Sequence, residues 1–429
     1  MKGRVETGEA YSQRLDSEDP LAKYRNLFYV PDRSIYVDGN SLGLLSRDSE
    51  ISIQKALNDW RTLGIGGWLA GKPPWFYLAE QIGAMCSGLV GAAPKEVILT
   101  GTTTVNIHQL VNTFYEPKGG RRKIIADELD FPSDIYALRS ILKLRGMNPD
   151  RDLILAPSVN GRFLNEHEII RLMDEEVAMI FLPSVLYRSG QLLDLPYLTN
   201  EAHKRGILVG FDCCHSVGSV PHYFDRWDVD FALWCGYKYL NGGPGSTAFL
   251  YVNKRHFKRE PALAGWFGYV KERQFDMSLK FDHSESAGGW QISSPAILSA
   301  APLEGSLRVF LDAGIENVRA KSLRMTSYLI SLVHDVLSGN PFNFSVGTPS
   351  EEARRGGHVA VEHEEALRIS EALRARGVVP DFRPPNVIRI APIPLYNTYH
   401  ELWQVVHHLK EIIETREYER YSKQRKAIS

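Results

Sequence analysis

Two apolar segments of the sequence end on residues that can do chemistry. Ile207–Phe211 runs directly into Asp212, and His215 follows three residues later. A second apolar run, Val229–Cys235, leads into Gly236-Tyr237-Lys238 and then into a glycine-rich turn. Because open α/β sheets bind ligands outside the carboxyl ends of their strands, we expect the acid and the lysine to share one edge of a sheet.

An acid and a lysine at two strand ends fit the requirements of one cofactor. Pyridoxal phosphate is held by a lysine Schiff base, and a carboxylate faces its pyridinium nitrogen. In this sequence Lys238 would carry the cofactor and Asp212 would face the ring nitrogen. The pair is common to many enzymes of this chemical type, so it predicts a cofactor without specifying a reaction.

The composition argues against several other classes of function. A chain of 429 residues is expected to form one large domain and a smaller one. A net charge of −1, with no arginine-rich run, argues against a nucleic-acid partner. The N-terminus is polar and no apolar run is long enough to span a bilayer, so we expect a cytoplasmic protein with no membrane partner. Four cysteines without a C-x-x-C pair are expected to be reduced and buried, and no motif predicts a metal site.

Alternating β and α segments predict the scaffold that positions the acid and the lysine. Short apolar strands are expected at 97–99, 123–126, 153–156, 177–182 and 207–211, with helical spacing between several of them. This alternation predicts an α/β fold with a mostly parallel sheet and right-handed crossovers. Strands near 358–361 and 387–390, with helices beside them, predict a small α+β domain at the C-terminal end.

We divide the chain accordingly into three parts. Residues 1–50 are expected to form an N-terminal arm that packs with the small domain, residues 51–300 a large cofactor-binding domain, and residues 301–429 the small C-terminal domain.

Two segments at predicted strand ends could bind parts of a cofactor. Thr100–Thr104 lies between a strand and a helix, where hydroxyl and free N–H groups can bind a phosphate, although threonines there could equally cap the helix. Phe131 follows another strand, and its face could stack on a ring. The following Pro132-Ser133-Asp134 could also be a plain helix start.

Two other features are ambiguous from the residues alone. Trp68 and Trp75 lie in a glycine-rich loop and either wall an aromatic ligand or pack on the adjacent helix, with about equal weight. Arg389 alternates with β-branched residues on a predicted strand and either clamps a carboxylate or faces solvent. Because arginine is mostly exposed in proteins, the pattern favours solvent.

Taken together, these segments resemble the kynureninase family. Seven segments carry the resemblance, and they follow one another in the same order as in the family. They are Asp38-Gly-Asn-Ser-Leu-Gly43, Thr104-Val-Asn106, Phe131-Pro-Ser-Asp134, Gly210-Phe-Asp-Cys-Cys-His215, the segment from Val229 to Asn241, Gly265-Trp-Phe-Gly268 and the segment from Arg389 to Asn397. It implies a fold-type-I pyridoxal-phosphate enzyme with a large α/β/α domain, a mostly parallel central sheet and a small C-terminal α+β domain. The implied activity is hydrolysis of L-kynurenine to anthranilate and L-alanine in tryptophan degradation, with 3-hydroxykynurenine as a second possible substrate.

The resemblance also implies a role for each motif residue. Lys238 would form the Schiff base and move protons, and Tyr237 is the second catalytic candidate. The implied cofactor-binding residues are Thr103, Thr104, Phe131, Asp134, Asp212, His215, Tyr237, Lys238, Trp266 and Ser294. The implied substrate-binding residues are Arg389, Trp68, Asn40 and Ser41. In the family, Trp266 and Ser294 reach the cofactor phosphate of the partner subunit, which implies a homodimer with its active sites at the subunit interface.

Two departures from the family pattern bear on the phosphate and on the substrate. Pro183 stands where the family often has a hydroxyl, so Ser184 or a water would have to replace that contact. Relatives that prefer 3-hydroxykynurenine have a histidine and an asparagine where this chain has Trp68 and Ser294. A ring hydroxyl without a partner is costly to bury, so we expect unsubstituted L-kynurenine to be preferred.

Related reactions are the main alternatives. An aminotransferase shares the lysine, the acid and the arginine, and a biosynthetic kynureninase could act on a ring-substituted kynurenine. A cysteine desulfurase is disfavoured because its nucleophilic cysteine typically lies late in the chain, and here no cysteine follows Cys235.

Overall fold

The structure, a computed structural model, describes residues 6–424 of the chain. Its strands are β1 (Ile35–Tyr36), β2 (Val97–Leu99), β3 (Lys123–Asp127), β4 (Leu153–Ala156), β5 (Val177–Pro183), β6 (Leu208–Asp212), β7 (Phe231–Trp234), β8 (Phe249–Val252), β9 (Ser345–Val346), β10 (Val359–Glu362), β11 (Val378–Val379), β12 (Asp381–Arg383) and β13 (Val387–Ile390). Its α-helices are α1 (Glu9–Ser17), α2 (Arg47–Leu63), α3 (Gly67–Ala70), α4 (Leu78–Ser87), α5 (Thr103–Phe114), α6 (Pro132–Leu144), α7 (Pro149–Asp152), α8 (Glu166–Arg171), α9 (Leu195–His203), α10 (Phe224–Trp227), α11 (Ile297–Ala313), α12 (Ile315–Leu332), α13 (Ala366–Ala375) and α14 (Tyr399–Glu414).

A seven-stranded sheet forms the centre of the larger part of the chain, in the order β2-β8-β7-β6-β5-β3-β4. Only β8 runs opposite to the other strands, because it pairs antiparallel with both β2 and β7. The central strands are buried on both faces, which is why they read as continuous apolar runs rather than alternating ones. The prediction of an α/β fold with a mostly parallel sheet is confirmed.

A second sheet, antiparallel and in the order β12-β13-β10-β9, lies in the C-terminal part with α12, α13 and α14. Its apolar residues form a separate buried cluster from the one around the large sheet. The small α+β unit is therefore present as predicted. The boundaries at residues 50 and 300 stay predictions, and α11 continues through residue 300 without a break.

The N-terminal arm contains a helix that the sequence pattern did not reveal. In α1, the ring of Tyr11 packs on Tyr328 of α12, with 5.8 Å between ring centroids. The carboxylate of Asp16 accepts hydrogen bonds from the N–H groups of Tyr399 and His400, at 2.6 and 2.9 Å. These contacts cap the start of α14, whose unpaired N–H groups favour a negative charge.

Candidate active site

One cleft gathers most of the predicted cofactor residues. Eight of them line it: Thr103, Thr104, Phe131, Asp134, Asp212, His215, Tyr237 and Lys238. It lies where β6 and β7, paired in parallel, end side by side, so the chain leaves both strands at the same edge of the sheet. This is the position that open α/β sheets use for ligands.

Lys238 reaches the cleft through a tight loop after β7. A side chain at Gly236 would meet the Thr247 carbonyl oxygen at 2.7 Å, so only glycine lets the loop pass this close to its neighbour. The Nζ atom of Lys238 lies 2.9 Å from Nε2 of His215. Burial, and then the charge of Lys238, lower the pKa of His215 well below its usual range. A neutral His215 can therefore accept a hydrogen bond from the lysine amine.

Asp212 ends β6 as one of several buried acids. Its Oδ1 accepts a hydrogen bond from the N–H of Cys214 at 2.6 Å. Burial, and then the charge of Asp212, raise the pKa of Asp134 well above its usual range. Asp134 therefore keeps its proton and can share it with Asp212. Among the described residues, Oδ2 of Asp134 is buried without a hydrogen-bond partner.

The start of α5 forms the predicted anion site. Thr102 is the cap residue, and its side chain makes no capping hydrogen bond. Oγ of Thr104 lies 2.7 Å from Oγ of Ser133, which also lines the cleft. The threonines therefore do not simply cap the helix, and free N–H groups remain at its start, where helices bind phosphate.

Phe131 and Tyr187 form an aromatic wall of the cleft. Phe131 remains 47% exposed, so its ring is available to a ligand. The ring of Tyr187 meets it edge-on, with 5.4 Å between centroids and 85° between planes. Tyr187 was not predicted as a site residue; it lies in the loop after β5, where no recognised motif marked it.

Tyr237 lines the cleft beside Lys238, and its backbone contacts the loop formed by residues 38–43. Lys238 Nζ lies 5.9 Å from the centroid of its ring. Burial raises the pKa of Tyr237 well above its usual range, so the phenol stays protonated. Its carbonyl accepts a hydrogen bond from the N–H of Gly43 at 2.8 Å, which packs the 38–43 loop against this segment.

Arg389 is buried, contrary to the solvent-exposed position that its sequence pattern favoured. Arg389 is 1% exposed, so the expectation that it faces solvent is wrong. Its burial is possible because two other segments supply hydrogen-bond acceptors. Nη1 donates to the Tyr187 carbonyl at 2.7 Å, and Nη2 donates to Oγ of Ser41 at 3.1 Å. Asn40 beside Ser41 is fully buried, and within residues 6–424 neither its Nδ2 nor its Oδ1 has a partner.

The other six predicted residues do not line this cleft: Arg389, Asn40, Ser41, Trp68, Trp266 and Ser294. Ser294 lines a different cleft, which it shares with Thr102 and Val105 at the start of α5. Trp68 and Trp266 both pack on Phe267, with centroid distances of 5.8 Å each. The assignment of Trp266 and Ser294 to the site of a partner subunit stays a prediction.

Of the two expected replacements for the phosphate contact at Pro183, Ser184 or a water, the Ser184 hydroxyl is already hydrogen-bonded within the protein. Pro183 lines the cleft, but Ser184 is fully buried and its Oγ lies 2.6 Å from Oγ of Ser216. Its hydroxyl also donates to the Asp212 carbonyl at 3.1 Å. Ser184 therefore stabilises the β5–β6 edge.

The cleft fits pyridoxal phosphate. It offers an amine, a helix start for the phosphate and an exposed aromatic face, and its Asp134 Oδ2 and His215 Nδ1 are buried atoms that have no partner among the described residues. Fold and cleft together define a fold-type-I pyridoxal-phosphate enzyme.

Solved structures share this fold. A cysteine desulfurase from Thermococcus onnurineus NA1 superposes with a TM-score of 0.78 at 14% identity, covering 92% of this chain and 98% of its own. A structure of C-DES with glycine covalently linked to its pyridoxal-phosphate cofactor gives a TM-score of 0.76 at 16% identity, covering 89% and 100%.

Relatives with similar sequences identify the family to which this chain belongs. A kynureninase from Geobacillus thermodenitrificans is 55% identical over 98% of this chain and 97% of its own length. One from Bacillus cereus is 53% identical over the same shares, and residues 318–409 match the model of the kynureninase C-terminal domain. The chain belongs to the kynureninase family. This confirms the resemblance drawn from the motifs and the prediction of a pyridoxal-phosphate cofactor.

Across residues 6–424, no helix is long and apolar enough to cross a membrane. The four cysteines are all buried and unpaired.

Proposed function

We propose that this chain hydrolyses L-kynurenine to anthranilate and L-alanine with the help of pyridoxal phosphate, in tryptophan degradation. The observation that carries the proposal is the placement of Tyr187, whose ring lines the Lys238 cleft while its carbonyl holds Arg389. An amine site and a carboxylate site therefore adjoin, as recognition of an α-amino acid requires. Family membership supports the particular substrate.

Each polar residue of the cleft has a task in this proposal. Bound pyridoxal phosphate supplies an electron sink for negative charge that develops on the substrate's Cα and Cβ. Lys238 holds the cofactor and, when free, takes and returns protons at Cα, with His215 orienting its amine. Asp212 would face the ring nitrogen of the bound cofactor, and the start of α5 would bind its phosphate.

Cleavage of the Cβ–Cγ bond requires water at the γ-carbonyl. Water adds to this carbonyl, the aryl fragment leaves as anthranilate, and a proton is returned to the remaining fragment to give L-alanine. A general acid–base close to the carbonyl oxygen is needed for both changes. We assign this task to Tyr237, because its buried phenol remains protonated and it lies beside Lys238.

We also propose that the active enzyme is a homodimer in which Trp266 and Ser294 complete the partner's site. The segments around Trp68 and Trp266 meet at Phe267 and carry large exposed apolar side chains. Leu69 is 76% exposed, Phe275 70% and Leu279 104%. Exposed apolar side chains concentrated in this way are typical of an interaction surface, which supports burial against a second copy.

Substrate choice and location complete the proposal. Trp68 in the assembled site offers no hydrogen-bond acceptor for the proton of a ring hydroxyl, so L-kynurenine is preferred over 3-hydroxykynurenine. Four buried, unpaired cysteines support a reducing location, the cytoplasm.

The proposal is tested by product analysis. Purified protein is incubated with pyridoxal phosphate and L-kynurenine, and anthranilate and alanine are quantified. Equal amounts of the two products are expected. Formation of kynurenic acid instead of anthranilate would replace hydrolysis by transamination.

A further inference from the structure

Asp381 and Arg389 form a buried pair that no motif indicated. They lie directly opposite each other on the antiparallel strands β12 and β13. Nε of Arg389 donates to Oδ2 of Asp381 at 2.5 Å, and Nη2 forms an ion pair with the same oxygen. The two residues are 3% and 1% exposed, so neither side chain can turn to water without losing its partner.

A count of the N–H groups of Arg389 shows which edge a ligand can use. A guanidinium carries five N–H groups in a fixed plane. Nε donates to Asp381, an N–H of Nη2 donates to Ser41, and an N–H of Nη1 donates to the Tyr187 carbonyl. Nη2 also lies within ion-pair distance of Asp381. Ser41 also hydrogen-bonds the Asp38 carboxylate. A carboxylate can bind the edge between Nη1 and Nη2 if it replaces the Ser41 hydroxyl as the acceptor for the Nη2 N–H. This edge adjoins Tyr187, which lines the cleft.

We propose that Asp381 is the positioning residue for recognition of the substrate's α-carboxylate, because it fixes the guanidinium so that the edge between Nη1 and Nη2 faces the ligand. This inference rests on the proposed function and deepens it. Asp381 does not contact the substrate; it acts through Arg389.

The surrounding charges are consistent with this role. Nε of Arg383 donates to the same Oδ2 of Asp381 at 2.9 Å, so the carboxylate is held from two sides. The charge of Asp38 also stabilises the charged form of Arg389. Burial, followed by the charge of Asp381, raises the pKa of Asp38 to about 6. Asp381 is therefore held between Arg383 and Arg389.

The test compares two ligands that differ only at the carboxylate. The first is 4-(2-aminophenyl)-4-oxobutanoic acid, which lacks the α-amine that would react with the cofactor, and the second is its primary amide. Their dissociation constants are measured by calorimetry on cofactor-loaded wild type, Asp381→Ala and Asp381→Asn. Asp230→Ala is the control, because Asp230 is also buried and paired, with Arg255 and His256, but lies in the large domain.

We expect wild type to bind the acid at least tenfold more tightly than the amide. In Asp381→Ala this ratio should fall at least fivefold, whereas Asp381→Asn, whose amide oxygen can still accept from Nε, should keep it within about threefold. Steady-state kinetics of Asp381→Ala should show a raised KM for L-kynurenine with kcat within about threefold of wild type. Asp230→Ala should leave the ratio unchanged.

Two results would overturn the inference. One is an unchanged ratio in Asp381→Ala or, if that variant does not fold, in Asp381→Ser, whose side chain is too short to reach Nε. Equal weakening of acid and amide binding would be such a result, and it would mean a general structural role. The other is tighter acid binding in Asp381→Asn, which would make Asp381 a competitor of the substrate. Failure of the wild type to form anthranilate would contradict the proposed function without affecting this ratio.

Discussion

The amine of Lys238 lies 2.9 Å from Nε2 of His215, although 23 residues separate them in the chain. Parallel pairing of β6 with β7 explains this proximity, because both residues follow strands that end at the same edge of the sheet. Burial and the lysine charge lower the pKa of His215 well below its usual range, so it stays a neutral acceptor. The lysine is thereby oriented by a group that adds no second charge.

Replacing His215 by phenylalanine should remove this acceptor while keeping an aromatic ring. We expect kcat for L-kynurenine to fall by about 10- to 100-fold, below the range of a lost acid–base group because Lys238 itself remains. Steady-state kinetics measures the effect. His363→Gln is the control, since His363 is also buried but packs at a tilt against Phe344 in the small sheet unit. Unchanged kcat in His215→Phe would exclude the orienting role.

Asp127 should make stability depend on pH. Burial raises its pKa to about 7 in the folded state, above the usual value of about 3.9 in an unfolded chain. The folded state therefore binds the proton more tightly, and the stabilisation is full below about pH 4 and is lost as pH rises through about 7. Asp127→Asn should remove this loss. The free energy of unfolding lost between pH 5 and pH 8 should therefore be about 1–3 kcal/mol smaller in Asp127→Asn than in wild type.

Urea denaturation of wild type and Asp127→Asn at pH 5 and pH 8 measures this difference. Asp150→Asn serves as a control, because the Asp150 side chain is 77% exposed. If wild type and Asp127→Asn lose the same free energy between the two pH values, Asp127 is not the group responsible.

The part of the site at the strand ends could be predicted from the sequence. Asp212 and Lys238 follow buried apolar runs, and the geometry of parallel sheets places such residues at one edge. Arg389 shows where sequence reasoning fails. Its alternating pattern correctly predicted a strand, but burial depends on Asp381, and their pairing is set by a register that the pattern does not specify.

Tyr187 and the helix α1 were missed for related reasons. Tyr187 meets Phe131, Arg389 and His215 only because a loop after β5 crosses the cleft. In α1 the helix is stabilised by contacts with α14, such as those of Asp16, and its own apolar periodicity is weak. The position of Tyr187 and the formation of α1 both depend on contacts between segments that are distant in the sequence.

Mixing two inactive variants should test the shared site. Trp266→Ala lacks the residue assigned to the partner's site, and Lys238→Ala lacks the cofactor lysine. In a mixed dimer the two defects fall in one site and leave the other intact, so random exchange should restore about a quarter of wild-type activity. Activity is measured after the variants are unfolded and refolded together.

The control for this experiment is each variant refolded alone, which should remain inactive. No recovery in a mixture that sedimentation shows to be dimeric would contradict a site built from two subunits.

Trp68→His should shift substrate choice. A histidine can pair with the ring hydroxyl of 3-hydroxykynurenine, and satisfying a buried hydroxyl is worth about 1–3 kcal/mol. We therefore expect the ratio of kcat/KM for 3-hydroxykynurenine to that for L-kynurenine to rise about 10-fold. Trp60→His, at a position 59% exposed on α2, is the matched control. An equal ratio in wild type and Trp68→His would contradict the assignment of Trp68 to the substrate site.

The most direct test of the proposed reaction is hydrolysis of L-kynurenine in ¹⁸O-labelled water. We predict that the cofactor-loaded protein forms anthranilate with ¹⁸O in its carboxylate, together with an equal amount of L-alanine, and that Lys238→Ala forms neither. Kynurenic acid without anthranilate, or full activity in Lys238→Ala, would contradict it.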